Sequence, residues 1–167
     1  MEATEVLTLI AEIGIALAGF TAVVTVVGRP PGPLSALEAF RLSQLLALSL
    51  GAVALALLPL GLYHLGIDAP RLWQISSAAM AILGAGLLLG HVYSTRRFLR
   101  GAPGFFNRVL VTTLVLGHIG NIGLQIAHAL GAVRPASPGV FLIGLYFYVI
   151  HGGLMFVRII FIRPKTS

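Results

Sequence analysis

The sequence contains no cysteine. That excludes a disulfide framework, thiolate nucleophiles and thiolate metal sites. Charge is scarce too. Only 10% of the 167 residues are Asp, Glu, Lys or Arg, against roughly 25% in a soluble domain. So few ionisable side chains cannot coat a water-facing surface of this size, and lipid must be the solvent for most of the chain. Acid is scarcest: Asp68 is the only aspartate, which leaves little for two-carboxylate chemistry. No HExxH, GxSxG, P-loop or dinucleotide fingerprint occurs, so no motif of a known enzyme is present.

What the chain has is apolar residues, 57% of the total, and an excess of base. The net charge is +6. The basic residues, however, fall in short breaks between apolar runs and near the C-terminus, with no block of five or six together. That placement fits membrane topology, and nucleic acid is not an expected partner.

A transmembrane helix needs about 20 mostly apolar residues. Five segments qualify, at about 6–27, 42–63, 72–92, 109–130 and 140–162, and predict an all-α, polytopic membrane helix bundle in which 1–167 form a single transmembrane domain. The acidic start, Met1-Glu2-Ala3-Thr4-Glu5, lacks the basic region of a cleavable signal, so the first helix is expected in the mature protein. Turn chemistry separates the segments: Gly28 to Pro33, Gly66 to Pro70, Gly101 to Gly104 and Arg134 to Gly139. Ser35 and Glu38 match a capping box at the start of the second helix. Pro59 is expected to kink that helix. Gly86 and Gly90, and Gly117, Gly120 and Gly123, are expected to let helices approach closely.

Arg29, Arg41, Arg96, Arg97, Arg100, Arg108, Arg158, Arg163 and Lys165 map to one side of such a bundle, and only Arg71 and Arg134 to the other. Nine against two predicts an outside N-terminus and a cytoplasmic C-terminus. The 93–108 connection, with Phe98, Leu99, Phe105 and Phe106 among arginines, reads as a basic-aromatic headgroup anchor. Trp73, Tyr63 and Tyr93 at span ends read as an aromatic belt, and His64 and His91 as interfacial.

Ionisable residues inside spans are costly and normally face protein or water. His118, Asn121, Gln125 and His128 follow a +3, +4, +3 spacing and share an arc of about 80° on helix four. Gly144, Tyr148, His151, Met155 and Arg158 share a similar arc on helix five. Glu12 is expected to be buried near Gln125, roughly 7–8 Å from the midplane at 1.5 Å rise per residue. Glu12, His118, Asn121, Gln125, His128, Tyr148 and His151 are therefore the candidate pathway-lining residues.

The run Ala11 to Phe20, with Leu58-Pro59-Leu60 and Leu72 to Ser77, resembles a family of small bacterial multi-pass membrane proteins without assigned function. The resemblance covers roughly the first half of the chain and implies a bacterial cytoplasmic (inner) membrane location.

Three functions are open. One is a small homo-oligomeric channel or transporter for an ion, a proton or a small polar solute, with subunits presenting Glu12 and the helix-four stripe to a shared axis. The second is a redox protein in which His118 and His151 ligate a b-type haem as cofactor. The third is a non-catalytic assembly protein whose polar face specifies a partner helix. The helix-four stripe is expected to line a hydrated or ligand-occupied cavity.

Overall fold

Apolar runs bounded by glycine and proline become five long helices: α1 (Ala3–Val27), α2 (Ala36–His64), α3 (Ala69–Leu99), α4 (Arg108–Ala129) and α5 (Gly139–Phe161). The structure is a computed structural model that describes residues 3–27, 33–99, 108–134 and 136–161. Each of the five helices is long and apolar enough to cross a membrane. The expected basic-aromatic anchor lies largely outside the described residues. So do Arg29, Arg100, Arg163 and Lys165.

The helix ends follow local chemistry. Ser35 caps α2: its hydroxyl accepts from the Glu38 amide while the Glu38 carboxylate accepts from the Ser35 amide at 2.9 Å. α2 then runs through Pro59 to His64 without a break. It stops at a left-handed Gly66, φ +76°. Here the Ile67 amide donates to Leu62 and the Gly66 amide to Tyr63, the double bond of a Schellman stop. α4 ends in the same way. Gly131 has φ +74°, and the amides of Ala132 and Gly131 donate to Ala127 and His128.

Consecutive helices pack as neighbours, and α5 touches all four others. The core is apolar, centred on Leu45, Leu48, Ala52, Met80, Phe141 and Leu145. The outer surface is apolar as well, with Ile15, Phe20, Leu57, Ile82, Leu89 and Ile150 exposed. In a lipid bilayer apolar burial contributes little to helix association, and close packing and interhelical hydrogen bonds take its place.

The glycines that permit close packing differ in part from those expected. A Cβ on Gly117 would meet the Phe147 ring at 2.6 Å, but Gly86, Gly90, Gly120 and Gly123 face open space. Other tight approaches lie at Gly84 and Gly144. A Cβ there would meet the Tyr148 hydroxyl at 2.7 Å and the Gln125 amide at 2.6 Å, respectively. Trp73, read as part of an interfacial belt, is turned inward, with its ring 5.9 Å from that of Phe141. Tyr63 and Tyr93 do face outward.

Candidate functional site

The polar stripe of α4 points into the bundle. His118, Asn121, Gln125 and His128 are all buried, while Leu116, Ile119 and Ile126 on the other side of the helix are exposed. The stripe meets the face of α5 that carries Gly144, Tyr148 and His151, all three buried. Gly144 makes the meeting close, because any side chain there would run into Asn121, Gln125 and Met80.

Hydrogen bonds tie the stripe to three elements. The Gln125 side-chain amide donates to the Val140 backbone carbonyl at 2.9 Å and to Asn121 Oδ1 at 3.3 Å. The Tyr148 hydroxyl donates to the Met80 carbonyl at 3.4 Å. His128 shares a 2.7 Å hydrogen bond with Ser77 through Nδ1, and its Nε2 lies 3.2 Å from the Arg134 carbonyl. Arg134 is the only non-glycine among the described residues with positive φ, at +33°. Its unusual backbone presents that carbonyl to His128 just past the end of α4.

The centre of the site is a row of three imidazoles. Nε2 of His118 is 3.1 Å from Nδ1 of His151, with ring centroids 5.1 Å apart. His91 follows, its centroid 6.5 Å from that of His151. Phe147 and Tyr148 pack on the His118 ring at 5.0 and 6.0 Å. All three histidines are buried.

The unpaired buried polar atoms gather along the same line. His118 Nδ1, His151 Nε2, both ring nitrogens of His91, Asn121 Nδ2 and Gln125 Oε1 have no hydrogen-bond partner in the protein, and Ser49 Oγ is the one other such atom among the described residues. Each unsatisfied buried group costs about 1–3 kcal/mol. Four of the six are imidazole nitrogens and two belong to the side-chain amides of Asn121 and Gln125.

Two expectations are corrected here. Glu12 is exposed on α1 and far from Gln125, since α1 makes no contact with α4. The inward face of α1 is set by Leu7, Ile10, Ala11 and Gly14, and Glu12 lies roughly 140–160° around the helix from its centre. His91, read as interfacial, is 4% exposed and belongs to the row. The signal for it was present in the sequence. Ser77, Gly84 and His91 recur every seven residues, which keeps them on one face of α3. They meet His128, Tyr148 and His151 in turn. His64, also read as interfacial, is exposed at the end of α2.

The haem reading requires imidazoles on opposite sides of a porphyrin plane. His118 and His151 instead contact each other directly, so the residues as placed do not fit that group. No set of three or more His, Asp or Glu among the described residues could hold a metal ion. The stripe packs against α3 and α5. The expected cavity along the stripe is not found there: a cavity adjoins the row at its far end, lined by His91 and by Val111 and Leu114 of α4, but by none of the four stripe residues.

Compared with known proteins, the chain matches no family model, and no curated protein or solved structure matches it.

Proposed function

We propose that the protein is a small membrane channel or transporter that passes protons along the buried histidine row. The observation that carries this reading is the hydrogen bond shared by His118 and His151, with the far nitrogen of each ring unpartnered. A neutral imidazole holds one N–H and one lone pair. In one arrangement His118 Nε2 donates to His151 Nδ1, so His118 Nδ1 is bare and His151 Nε2 carries a proton. A proton arriving at His118 Nδ1 shifts the shared proton to His151 Nδ1, and His151 Nε2 releases its own. One proton has then crossed the pair. Extending the row past this pair needs side-chain motion that opens room for water between His151 and His91 and beside Asn121 and Gln125.

The test is proton flux into liposomes holding the full-length protein and a trapped pH dye, driven by a potassium diffusion potential. The expected result is acidification faster than in protein-free liposomes, with no matching sodium flux. A rate equal to that of empty liposomes ends this reading and favours the non-catalytic assembly protein, in which the same polar contacts only specify packing.

In this reading the N-terminus is outside and the C-terminus cytoplasmic, in a bacterial inner membrane. The support is the asymmetry of basic residues. A homo-oligomer is a second element, and one observation favours it. Glu12 sits on an outward face within a membrane-spanning segment, where a carboxyl is costly against lipid and a second copy of α1 could enclose it.

A further inference from the structure

Glu12 lies nine residues into α1 and is exposed, roughly 13 Å from the start of the helix at 1.5 Å rise per residue. In a bilayer that is further from the headgroups than a glutamate side chain reaches, and an unpaired polar group at such depth is strongly unfavourable. Tyr146 on α5 is placed likewise: 46% exposed and inside a membrane-spanning segment. Neither side chain makes a hydrogen bond or ion pair to another described residue. A carboxyl accepts in either protonation state, and a phenol donates. We infer that the face formed by α1 and α5 binds a second copy of this chain, with Glu12 accepting a hydrogen bond from Tyr146 of the partner subunit. The inference rests on the membrane-spanning reading and names the contact in its oligomer.

Depth is the first argument. Five consecutive spans alternate in direction, so α1 and α5 run parallel, and they touch within the protomer. A Cβ on Gly152 would lie 3.6 Å from the Leu17 side chain, which sets their register. Counting back from that pair, Glu12 and Tyr146 lie within about one turn of each other along the bundle. Copies inserted in one orientation are related by an axis along the membrane normal, and rotation about it preserves depth. Glu12 of one copy and Tyr146 of the partner subunit are therefore level.

Surface shape is the second. Gly19 follows Glu12 by seven residues and Gly153 follows Tyr146 by seven, a spacing that keeps each pair on one helix face. A Cβ on either glycine would meet nothing within 4 Å, so both positions are open notches. They are level by the same count. Glycine opposite glycine lets two helices approach closely in a membrane, about two turns from the polar pair.

Symmetry is the third. Because α1 and α5 are neighbours, a two-fold axis sets α1 of each copy against α5 of the other, and the contact occurs twice. Both carboxyls and both phenols are then paired. Packing α1 on α1 instead would set two carboxyls together and leave both phenols in lipid. The chain supplies both halves of the pair, so a second copy is the occupant that fits.

The chain has no cysteine, so introduced thiols report the contact directly. Two differently tagged full-length chains, one with Gly19→Cys and the other with Gly153→Cys, are co-expressed and oxidised in native membranes with copper phenanthroline. The expected product is a disulfide-linked dimer carrying both tags. Pairing Gly19→Cys with Ile82→Cys, at an exposed position of α3, should give about tenfold less, since thiols on distant helices cannot bridge. Tyr146→Phe removes both hydrogen bonds at once and should weaken the dimer about tenfold, read by energy transfer between C-terminal fluorescent fusions in vesicles. Tyr93→Phe, another exposed phenol, should leave it unchanged. The proposal is overturned by any of three results: cross-linking no greater than with Ile82→Cys, Gly19→Cys chains joined mainly to one another, or wild-type chains without energy transfer above a monomeric control. Folded Tyr146→Phe that dimerises like wild type overturns it too. These measurements do not involve flux, so their failure leaves proton conduction by the row standing, and absent flux leaves the contact standing.

Discussion

His118 and His151, on antiparallel helices, share a 3.1 Å hydrogen bond that leaves one nitrogen of each ring without a protein partner. Neither residue can be replaced by a side chain with a single proton-handling atom without interrupting the sequence of donor and acceptor. His151→Gln should retain size and polarity, and so the fold, yet lower proton flux in liposomes by about a hundredfold, the low end for removal of a positioned acid–base group. A folded His151→Gln protein with wild-type flux would show that protons do not use the row.

Gly144 and Gly120 offer a paired test of the packing. A methyl at position 144 would collide with Gln125 and Asn121, at 2.6 and 2.8 Å, whereas position 120 faces open space. Gly144→Ala should destabilise the protein by about 1–3 kcal/mol, the usual cost of overpacking. Gly120→Ala should stay within about 0.5 kcal/mol of wild type. Thermal unfolding in detergent, followed by circular dichroism, would measure both, and equal melting temperatures would count against the close approach of α4 and α5.

Glu12 lies outside the row, so Glu12→Gln should leave proton flux within about twofold of wild type. If a second copy covers the outward face of α1, Glu12→Leu should alter the oligomer seen by size-exclusion chromatography with light scattering. An unchanged oligomer would remove Glu12 from any subunit contact, and a loss of flux in Glu12→Gln would restore it to the pathway.

Reporter fusions test the orientation. A fusion after Ser167 and one within 96–104 should both report cytoplasm, because nine of eleven basic residues map to that side. A periplasmic signal from either would reverse the assignment or change the number of spans.

The sequence alone determined the five elements and several of their ends, although α3 continues to Leu99, past the expected end near 92. Apolar length marked five helices, and Gly66, Gly131 and the Ser35–Glu38 pair stopped or started them through contacts within a few residues. It also determined the two polar arcs on α4 and α5, since a 3.6-residue period places side chains on a face whatever surrounds the helix. Only the tertiary structure decided which face of α1 turns inward, and which neighbours the Ser77, Gly84 and His91 face of α3 meets. Leu7 and Ile10 are buried while Leu9 and Ile13 beside them are exposed, and residue type cannot separate the two sets when lipid is as apolar as the core. Glu12 was therefore left outside where Gly14 packs α1 closely on α2, and His91 was brought against His151 where Gly84 and Gly144 let α3, α4 and α5 approach. Each approach depends on distant residues meeting, which no local pattern specifies.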